Sequence, residues 1–152
     1  MHRRLGAQID GLNWAAEQIA SVAGDALELG LGNGRTYDHL RQVLPDRRIW
    51  VIERQVAPHP DSMPPKEDIL LGEALDMLPQ MARDGVRLAL AHYDLGSGIK
   101  QMDVAEAAEL SALIAAVMQP GGLVVSQQPL PGFEQITGPD TVHPERYLFY
   151  RA

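Results

Sequence analysis

Two hydrophobic patterns alternate along the 152 residues of this chain. Apolar residues at helical spacing occur in four segments, which predict helices at 1–24, 34–44, 73–83 and 102–118. Short apolar runs lie between these segments and predict strands at 26–29, 49–52, 69–71, 87–93 and 123–126. Strands that alternate with helices in this way favour a parallel sheet with helices on both of its faces.

This alternation predicts an α/β fold of the Rossmann-like, doubly wound type, with a mostly parallel sheet. Two further apolar runs, 133–136 and 146–150, predict a C-terminal antiparallel hairpin. The length suits one domain, residues 1–152. Its expected parts are an N-terminal helix at 1–24, a βα core at 25–126 and the terminal hairpin at 127–152.

Proline interrupts the pattern at three places. Residues 55–66 hold four of the eleven prolines, which predicts an irregular loop where this architecture usually has a crossover helix. Pro79 is expected to kink the third helix or to start a new turn within it. Pro120 and the two glycines after it predict a turn that leads into the strand at 123–126.

Composition narrows the expected partners and location. The formal charge of -7 at pH 7 disfavours a large phosphate-binding surface, so we expect a small-molecule partner and no nucleic acid. No segment has the roughly twenty apolar residues that cross a bilayer, and residues 1–24 lack the apolar stretch of a signal peptide. The absence of cysteine fits a reducing compartment. We therefore expect a cytoplasmic protein that binds no membrane.

A glycine-rich loop between the first strand and the second helix carries the strongest chemical signal. Its sequence is Glu28-Leu29-Gly30-Leu31-Gly32-Asn33-Gly34. Glycine permits positive φ angles and a close approach of the backbone to a ligand, and the following helix directs unpaired N–H groups toward the same place. In a doubly wound sheet this loop forms the floor of the ligand crevice at the carboxyl ends of the strands.

Two common nucleotide-binding motifs fit this loop poorly. A dinucleotide fingerprint requires Gly or Ala where Arg35 stands, and a Walker A loop requires lysine at that same position. A nicotinamide-dependent reductase therefore remains only a minor alternative. Glu53 ends the second strand about twenty residues beyond the glycines, where an acid can accept hydrogen bonds from both hydroxyls of a ribose. An adenosine-containing ligand suits this arrangement.

The glycine loop and Glu53 resemble motif I and the ribose-binding acid of class I S-adenosylmethionine-dependent methyltransferases, in which an acid precedes Gly-x-Gly-x-Gly by two residues. The resemblance extends over residues 26–126, and residues 27–37 also resemble a small bacterial family of methyltransferase-like proteins. It implies that S-adenosyl-L-methionine is the cofactor. The residues that it implies for binding are Glu28, Gly30, Gly32, Asn33, Gly34, Glu53, Glu73 and Asp94.

The same resemblance implies where the two ends of the cofactor lie. It places Glu73 near the adenine amino group and Asp94 near the methionine end and the methyl acceptor. Methyl transfer needs a general base only when the acceptor must lose a proton, and His92 and Asp94 are the candidate catalytic residues. The five histidines show no metal-binding spacing, so we expect no metal. The sequence after the fourth strand lacks the Asn/Asp-Pro-Pro-Tyr pattern, which disfavours DNA bases as acceptors.

The expected function is therefore methyl transfer from S-adenosyl-L-methionine to a small molecule. The alternative is a non-catalytic module that binds this cofactor for sensing or assembly, because the loop at 55–66 and the short C-terminal segment reduce the regions that often shape an acceptor pocket. We also expect self-association as a homo-oligomer, because the apolar segment 148–150 belongs to a terminal hairpin that can leave an edge strand exposed.

Overall fold

The computed structural model describes residues 2–32, 34–55, 63–144 and 146–152. The helices of this part are α1 (His2–Gln18), α2 (Arg35–Val43), α3 (Ala74–Arg83) and α4 (Lys100–Ala115). The strands are β1 (Asp25–Leu29), β2 (Ile49–Glu53), β3 (Ile69–Leu71), β4 (Leu88–Tyr93), β5 (Met118–Ser126), β6 (Glu134–Ile136) and β7 (Leu148–Arg151). None of these helices is both long and apolar enough to cross a membrane.

All seven strands join one sheet in the order β3-β2-β1-β4-β5-β7-β6. The first five strands are parallel to one another, and β7 runs antiparallel to both β5 and β6. The strand order reverses between β1 and β4, because β2 and β3 extend the sheet to one side and β5 extends it to the other. This arrangement confirms the predicted Rossmann-like fold with an antiparallel C-terminal end.

Helices cover both faces of the sheet and create two apolar clusters. Leu12 of α1 and Leu40 of α2 pack on one face, together with Val125 of β5. Leu78 of α3 and Ile114 of α4 pack on the opposite face. All six residues of β4 are buried, which is the pattern expected of a parallel strand that is covered on both sides.

Helix α1 ends earlier than the sequence predicted, at Gln18 instead of residue 24. Residues 19–21 form a turn and residues 22–24 have no regular structure, and the side chain of Arg47 binds the backbone there. Its guanidinium donates to the carbonyl oxygens of Gly24 at 2.6 Å and Ile19 at 2.9 Å. A side chain from a distant segment thus satisfies carbonyl groups beyond the helix end, and local periodicity could not reveal it.

Strand β5 begins at Met118, whereas the predictions placed a helix to residue 118 and a turn at 120–122. The predicted turn is instead an irregularity within the strand: Met118 pairs with Leu88, while Leu123 pairs with Leu90. A Cβ on Gly122 would lie 2.9 Å from the carbonyl oxygen of Ala89. Glycine therefore permits close contact between β4 and β5 at this bulge.

The proline-rich segment lies partly outside the described residues, which omit 56–62. Residues 63–65 have no regular structure, and a 3-10 turn at Lys66–Asp68 leads into β3. Helix α3 continues through Pro79, so the loss of one backbone N–H does not end it.

The C-terminal hairpin is present, but the apolar segment 148–150 does not lie at an exposed edge of the sheet. Strand β7 is internal, and its Phe149 and Tyr150 are 3% and 4% exposed. The edge strand at this end of the sheet is β6, which has the sequence Glu134-Gln135-Ile136 and is polar at its first two positions. The apolar segment at 148–150 therefore packs within the sheet and offers no edge for self-association.

Candidate active site

The predicted site residues that the structure describes lie at or near the carboxyl ends of four adjacent strands, β3, β2, β1 and β4. The ends of parallel strands meet at one edge of a sheet, and a crevice opens where the strand order reverses. Glu53 ends β2, the glycine loop follows β1, and Asp94 follows β4. Residues that are far apart in the sequence therefore surround one crevice.

The glycine loop adopts the backbone conformations that its sequence predicts. The φ angles of Gly30, Gly32 and Gly34 are 91°, 53° and 86°. A Cβ on Gly30 would lie 2.5 Å from the carbonyl oxygen of Asp94, whereas a Cβ on Gly32 would have no atom within 4 Å. Gly30 thus permits the loop to contact the end of β4, and Gly32 leaves space for a ligand. Asn33 lies outside the described residues.

Glu53 joins the end of β2 to this loop. One carboxylate oxygen accepts hydrogen bonds from the backbone N–H groups of Leu31 at 2.6 Å and Gly32 at 3.3 Å. The other oxygen accepts from the N–H group of Arg54 at 2.8 Å. Glu53 also lines both cavities of the crevice, so its carboxylate lies at their junction.

One of these cavities has a volume of about 310 Å³ and lies beside Glu73. Its lining includes Ile52, Gly72, Leu75, Leu95, Met102 and Leu110. The guanidinium of Arg54 donates to Glu73 at 2.7 Å and to Glu106 at 3.0 Å, and all three side chains line the cavity. Sequence analysis had not selected Arg54 or Glu106, because their pairing depends on the position of α4 against the sheet.

The second cavity has a volume of about 480 Å³ and contacts Gly30, Gly32, Asp94 and Ser97. It shares Glu53, Arg54, Leu95, Met102 and Glu106 with the first cavity, so the two form one cleft. Asp103 fixes its outer loop by accepting from the N–H and hydroxyl groups of Ser97, each at 2.7 Å, and from the N–H group of Gly98 at 3.2 Å. These hydrogen bonds lower the pKa of Asp103, and the bond from the Ser97 N–H group has the largest effect.

Glu28 and His92 form a buried pair beneath the glycine loop. Both side chains are 0% exposed, and a carboxylate oxygen of Glu28 lies 2.5 Å from Nδ1 of His92. The other oxygen accepts a hydrogen bond from the hydroxyl group of Thr36 at 2.9 Å. Burial raises the pKa of Glu28, although the charge and hydrogen bond of His92 oppose this shift. Glu28 therefore supports the loop from below, and neither residue is exposed to the cleft.

Asp94 contacts two glutamines that the sequence analysis missed. Nε2 of Gln8 in α1 donates to one carboxylate oxygen at 3.4 Å, and Nε2 of Gln127, which follows β5, donates to the other. Gln127 also donates to the hydroxyl oxygen of Tyr147 at 3.0 Å. The ring of Tyr147 stacks on His92 with a centroid distance of 6.0 Å. These residues come from opposite ends of the chain and show no local motif.

Three groups that can ligate metals lie close together at this end of the cleft. The ligand atoms of Glu28, His92 and Asp94 lie within 4.8 Å of one another. Glu28 already accepts from Thr36 and contacts His92, while two amide N–H groups point at Asp94. Because the Thr36 hydroxyl, the His92 ring and two amide groups already bind these carboxyl oxygens, we interpret the group as a hydrogen-bonded network.

Comparisons with known proteins fit this geometry. The sequence profile of an S-adenosyl-L-methionine methyltransferase family matches residues 1–152. The crystal structure of an S-adenosyl-L-methionine methyl transferase from Silicibacter pomeroyi DSS-3 is 38% identical, with a TM-score of 0.92 over 98% of this chain and 93% of that chain. No curated protein matches the chain.

More distant structures share the fold. Human methyltransferase-like protein 13 in complex with SAH is 12% identical, with a TM-score of 0.62 over 98% of this chain and 80% of that chain. The plantazolicin methyltransferase BpumL in complex with SAH is 9% identical, with a TM-score of 0.56 over 82% of this chain and 48% of that chain.

These results confirm the predicted enzyme class and cofactor. The family match spans the whole sequence, and the similar protein from Silicibacter pomeroyi is covered almost completely. The chain belongs to this family of S-adenosyl-L-methionine methyltransferases, and its activity is methyl transfer from that cofactor.

Proposed function

We propose that the cleft holds S-adenosyl-L-methionine between the glycine loop and Glu73, and that the methyl acceptor is a small molecule bound beside Asp94. The position of Glu53 carries this proposal. Its carboxylate lines both cavities, and its Oε1 accepts from one described N–H group, that of Arg54, so this oxygen can accept a further hydrogen bond from a ribose hydroxyl group. The bound cofactor supplies a methyl group on a positively charged sulfur.

The residues of the cleft fit such a ligand. Gly32 has no atom within 4 Å of the Cβ position, so the backbone is accessible to a bulky group. The cavity beside Glu73 combines apolar side chains such as Leu75 and Met102 with a carboxylate, which suits a flat base that carries an amino group. Arg54 holds Glu73 by one oxygen and thereby positions it for that contact.

Asp94 and His92 have different places in this proposal. Asp94 lines the cavity beside Gly30 and Gly32, where an acceptor would meet the methyl group. His92 is buried and contacts Glu28, so we assign it the role of a positioning residue that acts through the glycine loop. A direct role as a general base would require contact with the acceptor, which burial opposes.

The charge of the cleft supports a small acceptor rather than a nucleic acid. Its described lining includes the carboxylates of Glu53, Glu73, Asp94, Asp103 and Glu106. Arg54 also lines the cleft, but it is paired with Glu73 and Glu106. A polyanionic backbone would be repelled from such a surface.

Calorimetric titration tests the cofactor site. Wild-type protein should bind S-adenosyl-L-methionine and its demethylated product SAH, and it should not bind NAD or NADP. Glu53→Gln should weaken binding by about tenfold or more, because charge-assisted hydrogen bonds to the carboxylate are lost. Glu134→Gln on the exposed edge strand β6 is the matched control and should bind normally. Unchanged affinity of the Glu53 variant would refute the ribose assignment.

We also propose that the protein acts in the cytoplasm. We further propose that it associates with a second copy of itself through an edge of its sheet. The short strand β6 supports this second proposal, because its outer side pairs with no described strand. Light scattering after size-exclusion chromatography gives the mass directly. A Gln135→Pro variant should reduce the dimer fraction if β6 forms the contact, and a monomeric wild type would overturn the proposal.

A further inference from the structure

Asp94, which lines the second cavity, belongs to a cluster of polar side chains with Gln8, Gln127 and Tyr147. The side chain of Gln8 is 5% exposed, that of Tyr147 is 2% exposed, and Gln127 lies between Asp94 and Tyr147. Buried polar side chains are costly unless they form hydrogen bonds, so this cluster has a defined hydrogen-bonding pattern. That pattern limits the chemistry of a molecule that can bind there.

The glutamine amides can face Asp94 in only one orientation. A carboxylate only accepts hydrogen bonds, so each amide must direct its N–H group toward it. Gln127 uses one amide hydrogen for Asp94 and the other for the hydroxyl oxygen of Tyr147. The carbonyl oxygens of Gln8 and Gln127 accept no hydrogen bond from a described residue. Gln8 and Gln127 therefore each keep an acceptor oxygen near Asp94, while three of their four amide hydrogens already bind Asp94 or Tyr147.

The electrostatics of the cavity point to the same chemistry. Its described charged lining consists of four carboxylates, Glu53, Asp94, Asp103 and Glu106, and one guanidinium, that of Arg54. Arg54 is paired with Glu106 and with Glu73 of the adjoining cavity. A surface of this kind attracts cations and repels carboxylates and phosphates.

We propose that the methyl acceptor is an amine, and that Asp94 and the carbonyl oxygen of Gln127 bind its N–H groups. An ammonium group has three donors and no acceptor, which matches the oxygens that the cluster presents. An alcohol has a single donor and no charge, so it satisfies fewer of them. This inference rests on the proposed cofactor site, since it assigns the acceptor to the cavity beside Gly30 and Gly32.

The chemistry of transfer is consistent with this assignment. A protonated amine must release one proton to water before its nitrogen lone pair can form the new bond to the methyl carbon. The electron pair of the broken methyl–sulfur bond stays on sulfur, whose positive charge disappears, while the methylated nitrogen, neutral before the transfer, gains one positive charge. Hydrogen bonds from the remaining N–H groups to Asp94 and Gln127 would orient the nitrogen during this exchange.

Fragment binding to the protein in complex with SAH tests the proposal without turnover. A first titration measures SAH binding, and amide resonances of ¹⁵N-labelled protein are then followed during addition of benzylamine, benzyl alcohol or benzoate at pH 7. These probes share one carbon skeleton and differ in the polar group. Benzylamine should shift the side-chain resonance of Gln127 with saturation, and the other two should bind about tenfold more weakly or not at all.

Two variants identify the residue that selects the amine. Gln127→Leu should weaken benzylamine binding by about tenfold, followed by backbone resonances, and should change SAH affinity by less than about twofold. Gln128→Leu is the matched control, because the hydrogen bonds of Gln128 to described residues involve only its backbone. This neighbouring substitution should leave both affinities unchanged.

Equal binding of benzyl alcohol or benzoate, or no binding of benzylamine, would overturn the proposal. So would normal benzylamine binding by the Gln127 variant. Failure of SAH to bind in the first titration would instead contradict the proposed cofactor site. The benzylamine titration would then be carried out without SAH and judged by the same criteria, so the two failures are distinguishable.

Discussion

The two halves of the cleft are built from very different parts of the chain. In the cofactor half, Glu53 binds the glycine loop across 22 and 21 residues of sequence, within one strand–helix–strand unit. In the acceptor half, Asp94 contacts Gln8 across 86 residues and Gln127 across 33. The cofactor half is therefore a local motif, while the acceptor half depends on the packing of α1 and of the segment after β5. A local motif can be recognised in sequence, whereas the distant contacts cannot.

Gly30 lies where the two halves meet, and its substitution should have the largest effect. Gly30→Ala places a side chain at a φ of 91° and a Cβ 2.5 Å from the carbonyl oxygen of Asp94. Strain and overlap together should lower the free energy of unfolding by about 3 kcal/mol. Urea denaturation measures the loss.

Gly32→Ala is the matched control for this substitution, because the φ of Gly32 is 53° and no atom lies within 4 Å of its Cβ position. It should cost only about 1 kcal/mol. Equal losses for the two variants would show that backbone strain alone, and not contact with the acceptor half, determines the effect of Gly30.

The Glu28–His92 pair supports both halves from below, and Glu28→Gln should have the next largest effect. Protonated Glu28 has one O–H donor, whereas the glutamine amide has two N–H donors, and the second has no acceptor between His92 and Thr36 in this buried site, so the substitution should cost about 2 kcal/mol near pH 5. Because burial raises the pKa of folded Glu28 above 4.5, its stabilising effect is complete below pH 4.5. That effect declines as the pH rises through the folded-state pKa.

The difference in unfolding free energy between wild type and Glu28→Gln should therefore shrink as the pH increases from 4.5. Urea denaturation of both proteins between pH 4.5 and 8 checks the sign, and effects of other carboxyl groups cancel in the difference. A difference that grew with pH would mean that the ionised carboxylate stabilises the folded protein.

The carboxyl group of Asp103 holds the loop at residues 95–99, which lines the cleft. Hydrogen bonds, chiefly from the Ser97 N–H group, lower the pKa of this carboxyl below its usual 3.8. Its stabilising effect is therefore present above pH 3.8 and is lost as the pH falls through the lower folded-state pKa. Asp103→Asn should increase hydrogen exchange at the amides of Ser97 and Gly98 by about tenfold at neutral pH.

This exchange difference should decrease as the pH falls through the folded-state pKa, which lies below 3.8, because the wild-type carboxyl then also becomes protonated. Asp84→Asn, in the exposed turn after α3, is a control that should leave exchange in the loop unchanged. Persistence of the full difference at low pH would contradict the role of the charged carboxylate.

Tyr93 should give the smallest effect and one of opposite sign. Its hydroxyl oxygen is buried and has no hydrogen-bond partner among the described residues, and burial raises its pKa. Tyr93→Phe should raise the free energy of unfolding by about 1 kcal/mol, or the melting temperature by about 3 °C.

Tyr150→Phe is the comparison for Tyr93, because the Tyr150 hydroxyl oxygen accepts a hydrogen bond from the N–H group of Leu130 at 3.2 Å. This variant should lose about 1 kcal/mol. A loss of stability in Tyr93→Phe as well would show that the Tyr93 hydroxyl has a bound water as its partner.

Much of the fold could be predicted because short-range patterns specify it. The period of apolar residues located the strands of the parallel core, and β3 was predicted with the bounds observed, Ile69–Leu71. Errors occurred where a distant residue changes a boundary. Arg47 binds carbonyl groups beyond the end of α1, so the helix ends earlier than predicted. Gly122 lies close to Ala89 of β4, so the residues predicted as a turn belong to β5 instead.

The site shows the same division. Gly30, Gly32 and Glu53 could be selected from spacing alone, because a strand–loop–helix unit fixes where they lie. The resemblance implied Glu28, and His92 was a candidate base as a histidine of the predicted fourth strand, but their complete burial emerged only from the packing of α1 and α2 over the sheet.

The sequence by itself determined the order of helices and strands, the glycine loop and the acid that faces it, because these depend on local periodicity and on the conformational freedom of glycine. Only the tertiary structure decided that Arg54 pairs with Glu106, that β7 is internal, and that Gln8 and Gln127 meet at Asp94. These contacts depend on which surfaces of distant segments are buried together, and burial is a property of the whole folded chain.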